Sequence, residues 1–178
     1  MSDSQLRPFI GPPLQSSFST FCGLGSDESI KAVKTYREYY ETKGVHMFSV
    51  YDGLPQTLDR LNNAGFRLFV ATCKPEYFAK KIINESGLAD RFIEVCGVPL
   101  NGYSMSKAEV IRKVAADNSL DLNDCVMIGD TAFDINGAKQ CGISSLGVRY
   151  GFGADGELEA AGADMIVDTA KEIADIFC

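Results

Sequence analysis

Apolar residues recur at two different spacings along the chain, and the change falls near residue 50. From Ser26 to Gly44 they return every three or four positions, which predicts a helix with Ser26 as its cap and Gly44 at its end. A shorter helix is predicted over residues 14–23, after prolines that mark a turn. The first fifty residues are therefore expected to be entirely helical.

Beyond residue 50, short apolar runs alternate with helical patterns. The pattern predicts strands at five runs, which are RLFVAT, RFIEVCG, CVMIGD, ISSLGVR and DMIVD. A helical pattern follows each run, and another with Leu54, Leu58 and Leu61 on one face precedes the first. Such alternation is typical of a parallel sheet with helices on both faces. We therefore predict an α/β fold, with a helical segment at 1–50 and an α/β core at 51–178.

Length and charge narrow the class of protein. A chain of 178 residues with 46% apolar residues suits one α/β domain and a small appendage. The formal charge is 17 − 24 = −7, and the basic residues are scattered. This balance argues against nucleic acid or an anionic membrane as a partner. Because the overall field repels anions, an anionic substrate would need a local site of attraction.

The cysteines indicate a reducing compartment. There are six, with no C-x-x-C pair and no zinc-type spacing, and several lie inside apolar runs where free buried thiols are expected. We find no signal peptide and no apolar run of membrane-spanning length. We therefore expect a cytoplasmic protein.

Three predicted strand ends carry side chains suited to chemistry. Ligands of open parallel sheets bind beyond the carboxyl ends of the strands. In FVATCKP, the hydroxyl of Thr72 could donate to a phosphate, and the backbone amides of Cys73 and Lys74 lie near the start of the next helix. Ordinary turn chemistry ahead of Pro75 is the alternative.

The second strand end is followed by SMSKAEVI. Ser106 and Glu109 match a capping box, so Lys107 falls on the first helical position, where a cation opposes the helix dipole. An anionic ligand beside the lysine would reverse that penalty. The alternative is a solvated lysine whose stem covers apolar surface.

The third strand end is VMIGDTAFDINGA. If Asp130 caps the helix, Asp134 follows about one turn later, with the two side chains about 5–6 Å apart. Carboxylates that close repel each other unless a cation lies between them, and Mg²⁺ is the simplest candidate. Gly129 would permit close backbone approach. The alternative is a helix cap and a favourable first-turn charge.

At these three strand ends the chain resembles the haloacid dehalogenase-like phosphohydrolases, in the phosphoglycolate-phosphatase-like branch with a helical cap. The family's second, third and fourth motifs are matched by ATCKP, SKAEVI and VMIGDTAFDINGA, in that order. The resemblance covers nearly the whole chain and implies a Rossmann-like, mostly parallel sheet. It further implies that Thr72, Cys73 and Lys107 bind the phosphoryl group, with Thr72 and Lys107 assisting catalysis. Asp130 and Asp134 would position Mg²⁺.

The family's first motif has no counterpart in this sequence. By the resemblance, an aspartate of D-x-D-G-T on an amino-terminal strand forms a phospho-aspartate, and a second aspartate acts as acid and base. The sequence contains no D-x-D, and residues 1–50 resemble a helical cap already under way. We therefore expect a truncated form of a complete phosphatase with negligible turnover. Its mid-sheet strand would be missing, which would expose two inner strand edges and an apolar groove.

The function expected from the resemblance is Mg²⁺-dependent hydrolysis of a small phosphorylated metabolite by a monomer or homodimer. Phosphoglycolate is the leading substrate, and nucleoside monophosphates or sugar phosphates follow. A phosphosugar mutase or 5'-nucleotidase of the same superfamily is an alternative. A non-catalytic phosphate-binding or regulatory homologue is a second alternative. A receiver-type signalling domain ranks last, because such domains carry their acidic pair early in the chain, whereas here the pair comes late.

Three further features carry weaker signals. GFGADG, residues 151–156, matches G-x-G-x-x-G, but the short helix after it and the nearby acids disfavour a dinucleotide. His46 is the only histidine, which excludes a zinc site built from several histidines, and at the end of a predicted helix an ordinary surface position is expected for it. Arg7 could reach a substrate carboxylate from the cap, although a solvated arginine is the commoner case.

Overall fold

Contacts between residues divide the chain into two units, Met1–Phe48 and Ser49–Cys178. The computed structural model describes residues 2–100 and 105–178, and each unit has its own packing. Within the described ranges, no helix combines the length and apolarity needed to cross a membrane. All six cysteines are free thiols, and of these Cys96 is fully buried.

The amino-terminal unit is built from helices. They are α1 (Asp3–Leu6), α2 (Leu14–Cys22) and α3 (Ser26–Thr42), with short 3₁₀ turns at Arg7–Phe9 and Gly44–His46. Phe9 packs against Phe18 and Phe21, with ring centroids 5.8 and 5.2 Å away. For the described residues, the predicted all-helical character of this segment is confirmed.

The start of α3 differs from the prediction by one residue. Gly25, not Ser26, is the N-cap, and its N–H donates to the Glu28 carboxylate at 3.1 Å. Glu28 is the third residue of the helix, so its side chain reaches back to the cap. The carboxylate thus satisfies a backbone donor, and Ser26 occupies the first turn.

The second unit alternates strands and helices as predicted. Its strands are β1 (Phe69–Pro75), β2 (Glu94–Val98), β3 (Val126–Gly129), β4 (Ser144–Val148) and β5 (Met165–Val167). Its helices are α4 (Leu54–Asn63), α5 (Glu76–Glu85), α6 (Lys107–Asp117), α7 (Ala132–Cys141), α8 (Glu157–Ala161) and α9 (Ala170–Phe177). The predicted α/β fold is confirmed.

Side chains of β3 alternate between two apolar clusters. Val126 and Ile128 pack with residues of α4 and α9, whereas Met127 packs with residues of α6 and α7. Successive strand residues point to opposite faces, so the two clusters lie on opposite sides of the sheet. Helices therefore cover both faces, as the apolar runs predict.

The strands form two separate parallel sheets. β1 pairs with β2, and β3 pairs with β4, which pairs with β5, while β1 and β3 share no ladder. An apolar groove of about 960 Å³ runs between them, lined by residues 68–71 along β1 and by 126–129 along β3. The expected pair of inner edges and the apolar groove are thus present.

Candidate active site

Thr72 lies where β1 leaves its regular pairing with β2. Ala71 pairs with Cys96 and Pro75 with Val98, and the register is irregular between those two pairs. The Thr72 Oγ1 accepts the N–H of Lys74 at 3.1 Å, a short-range contact that fixes the hydroxyl oxygen. A hydroxyl is also a donor, and for the Thr72 hydrogen the described residues offer no acceptor, so it can donate to a ligand.

Lys107 is the first residue of α6, as the capping box predicts. The N-cap is Ser106, whose Oγ accepts the N–H of Glu109 at 3.2 Å. In return, the Glu109 carboxylate accepts the N–H of Ser106 at 2.7 Å. The local sequence therefore sets the position of Lys107 in the helix.

The ammonium of Lys107 lies in a largely buried ion pair. Its Nζ lies 2.8 Å from Asp134 Oδ1 and donates to the carbonyl of Ala71 at 2.9 Å. The two paired side chains are only 12% and 9% exposed. An ammonium has three protons, and within the described parts of the chain these two acceptors account for two of them. One proton remains for a ligand.

Asp134 is the third residue of α7, and the N-cap of that helix is Thr131 rather than Asp130. The Oδ2 of Asp134 accepts the N–H of Asp130 at 3.2 Å, and the N–H and hydroxyl of Thr131 at 3.1 and 2.9 Å. A Cβ at Gly129 would lie 2.2 Å from that of Asp134, so glycine allows this close approach. Both carboxylate oxygens of Asp134 are thus engaged.

Asp130 presents one committed oxygen and one open oxygen. Its Oδ2 accepts the N–H of Phe152 at 2.7 Å, while Oδ1 accepts no hydrogen bond from the described residues. Burial raises the pKa of Tyr150 to about 12, with smaller contributions from Tyr51 and the Asp130 carboxylate. The pKa of Tyr51 is likewise raised, first by burial and then by Asp130. Two phenols therefore lie within the field of this carboxylate.

The three strand ends meet at one rim of the core. Ala71, Lys107, Asp130 and Asp134 all line the groove between β1 and β3. Burial raises the pKa of the Cys73 thiol, Lys107 opposes that rise and Asp134 adds to it, so Cys73 lies within range of both charges. Thr72 is absent from the lining but directly follows Ala71.

The other candidates lie in the amino-terminal unit. Arg7 is exposed in the 3₁₀ turn Arg7–Phe9, and His46 is exposed in the turn Gly44–His46. Neither belongs to the unit that carries the rim.

The donor chemistry of the rim fits Mg²⁺ through Asp130. Mg²⁺ prefers hard oxygen ligands and is commonly bound by one or two carboxylates. Asp130 has an oxygen to offer, whereas the cation already facing Asp134 is the Lys107 ammonium. Of the two carboxylates, Asp130 therefore has the open oxygen for a metal, while Asp134 accepts the Asp130 N–H.

A parallel sheet covered on both faces, with a lysine and two carboxylates at its carboxyl edge, defines a protein of the α/β class, in which ligands bind beyond the carboxyl ends of the strands. A family model for haloacid dehalogenase-like hydrolases matches residues 1–148. The chain belongs to this family, as its motifs predict.

Its relatives include phosphatases. It is 37% identical over 157 residues to a 5'-nucleotidase of Pseudomonas aeruginosa, covering 88% of this chain and 71% of that protein. It is 24% identical to a phosphoglycolate phosphatase of Vibrio parahaemolyticus, covering 99% of this chain and 81% of the relative. The crystal structure of a predicted phosphatase from Clostridium acetobutylicum matches with a TM-score of 0.93 and 37% identity, over 98% of this chain and 81% of that one.

Sequence reasoning missed the surroundings of Asp130. The loop after β4 supplies the Phe152 N–H, and Glu157 accepts the N–H of Ala132 at 2.7 Å. The sequence signal for this loop is GFGADG, whose glycines indicate that the backbone approaches another segment closely. The sequence does not indicate that this segment is the one around Asp130.

Proposed function

We propose that this protein acts as a Mg²⁺-dependent phosphatase on a small phosphomonoester. The carrying observation is the largely buried Lys107–Asp134 pair, which holds a lysine with one available proton in the groove that Asp130 also lines. A cationic hydrogen-bond donor and an open carboxylate oxygen in one groove suit a phosphoryl group bound to a divalent metal.

In this proposal, each rim residue has a defined part. Lys107 donates its remaining proton to a phosphoryl oxygen and offsets negative charge in the transition state. The hydroxyl of Thr72 and the N–H of Cys73 donate to the other oxygens. When bound to Asp130, Mg²⁺ supplies further charge neutralisation.

The nucleophile, in this proposal, comes from a strand that inserts into the groove between β1 and β3. No strand of residues 2–100 or 105–178 pairs with either inner edge, so a parallel strand could form hydrogen bonds on both sides. The groove between these edges measures about 960 Å³ and is lined along β1 and β3 by apolar side chains.

The carboxyl end of such a strand would lie beside Ala71 and Asp130. An aspartate there would attack phosphorus, forming the P–O bond of a phospho-aspartate as the ester P–O bond breaks. The departing alkoxide takes a proton from a neighbouring acid, and water then hydrolyses the phospho-aspartate. The family resemblance assigns both acids to D-x-D-G-T.

Two relatives support the choice of substrate class in this proposal. Phosphoglycolate remains the leading candidate, because the phosphoglycolate phosphatase matches almost the full length of this chain. A nucleoside 5'-monophosphate is the second candidate, since identity to the 5'-nucleotidase is higher.

The test uses an extended chain, defined as this chain preceded by an apolar strand ending in D-x-D-G-T and a flexible linker. We expect Mg²⁺-dependent turnover at ordinary enzymatic rates, about 1–1000 per second, on at least one substrate of a panel. The panel contains phosphoglycolate, nucleoside monophosphates and sugar phosphates. The 178-residue chain is expected to be inactive because it lacks the covalent nucleophile.

The matched control is the extended chain with asparagine for the first aspartate of the added motif, which should be inactive. Ordinary turnover by the 178-residue chain would contradict the proposal. If phosphate raises the unfolding temperature of the extended chain without any turnover, a non-catalytic phosphate-binding protein is favoured instead.

A further inference from the structure

The loop that joins β4 to α8 lies against Asp130. The N–H of Phe152 donates to the Asp130 carboxylate at 2.7 Å. A Cβ on Gly151 would lie 2.2 Å from the Asp130 Cβ, and one on Gly153 would lie 2.1 Å from the Asp130 carbonyl oxygen. Only glycine allows backbone this close. The first two glycines of GFGADG therefore serve contact with Asp130.

Glu157 joins the two segments that flank this aspartate. Its Oε1 accepts the N–H of Ala132 at 2.7 Å, and its Oε2 accepts the N–H of Ala154 at 2.8 Å. Ala132 begins α7 two residues after Asp130, and Ala154 belongs to the loop. One carboxylate therefore ties the helix start to the loop, through hydrogen bonds strengthened by its charge.

These contacts explain why the motif does not serve as a phosphate cradle. Two of the loop amides, those of Phe152 and Ala154, already donate to carboxylates of this chain. A pyrophosphate would have to displace both acids while approaching their negative charge. The loop amides therefore hold the carboxylates of Asp130 and Glu157 in place.

We propose that Glu157 is a positioning residue for Asp130. By fixing the loop to α7, it holds the Phe152 N–H against Asp130 Oδ2 and leaves Oδ1 for the metal. This inference rests on the proposed function, since it gives Asp130 the role of metal ligand. Glu157 itself binds no metal in this scheme.

The test measures two quantities on the 178-residue chain. Mn²⁺ affinity is obtained from paramagnetic broadening in NMR titrations, and loop closure from hydrogen exchange of the Phe152 amide. Glu157→Ala is expected to weaken Mn²⁺ binding about 10-fold, as loss of a supporting contact does in metal sites. It is also expected to speed exchange at Phe152 about 10-fold, while the buried strand residue Leu146 changes less.

Two further variants separate positioning from general destabilisation. Glu157→Gln keeps one acceptor oxygen and is expected to fall between the native chain and Glu157→Ala in both measurements; it also serves if the alanine variant does not fold. Glu159→Ala is the matched control, because Glu159 lies on the same helix and pairs with Arg149 at the surface. It should match the native chain.

Separate outcomes identify which claim fails. If Asp130→Asn binds Mn²⁺ as tightly as the native chain, the metal role in the proposed function is wrong. If Asp130→Asn weakens binding but Glu157→Ala and Glu157→Gln leave both Mn²⁺ affinity and Phe152 exchange unchanged, the inference about Glu157 is overturned.

Discussion

Asp130→Asn in the extended chain is expected to lower Mg²⁺-dependent kcat/KM at least about 100-fold. Asparagine has nearly the same shape, and its side-chain oxygen can still accept the Phe152 N–H that Asp130 accepts at 2.7 Å. The change therefore removes charge with little change in packing. Because Asp130 supplies the open carboxylate oxygen, the Mg²⁺ concentration for half-maximal rate should also rise.

The measurement is steady-state turnover across a series of Mg²⁺ concentrations. Asp155→Asn provides the control, since Asp155 is an exposed acid of the neighbouring loop. That variant should keep the native rate and Mg²⁺ dependence. Full activity in Asp130→Asn would show that the metal is held elsewhere.

Lys107→Met is expected to lower the free energy of unfolding of the 178-residue chain by about 3 kcal/mol. Its ammonium is the cation that faces Asp134, and both side chains are largely buried. Methionine keeps the stem that packs over Gly137, where a Cβ would lie 2.4 Å from the Lys107 Cγ. Most of the loss should thus come from the unpaired carboxylate. Three hydrogen bonds to Asp134 remain after the substitution. The expected loss of unfolding free energy therefore lies at the lower end of the range for broken buried ion pairs.

Urea unfolding measures this loss of free energy, and two further variants show whether it comes from the buried ion pair. Lys80→Met removes an exposed ion pair with Glu76 one turn away and should cost no more than about 0.5 kcal/mol. Asp134→Asn combined with Lys107→Met should cost less than the sum of the single changes, since the two residues interact directly. A Lys107→Met variant as stable as Lys80→Met would contradict the buried ion pair.

Features that depend on residues close together in the sequence could be predicted from it. The strand and helix pattern beyond residue 50 depends on apolar periodicity, and the start of α6 depends on Ser106 and Glu109, three residues apart. Gly129 was predicted to allow close approach, and it does so beside Asp134. In these cases the determining contacts lie within a few residues of each other.

Contacts between distant segments could not be predicted. The spacing of Asp130 and Asp134 favours a shared Mg²⁺, but it does not indicate that the ammonium of Lys107 faces Asp134. Nothing local to VMIGDTAFDINGA indicates that lysine. Likewise, the glycines of GFGADG indicate that the backbone can approach another segment closely, but they do not indicate which segment. The contact of this loop with Asp130 is seen only in the structure.

The central claim is that one rim of the sheet binds a metal and a phosphoryl group together. The most direct measurement is anomalous diffraction from crystals of the extended chain soaked with Mn²⁺ and tungstate, which mimics phosphate. We predict a manganese peak in contact with Asp130 and a tungsten peak in contact with the Lys107 ammonium and the Thr72 hydroxyl. A tungsten or manganese peak bound only elsewhere on the protein would contradict the account.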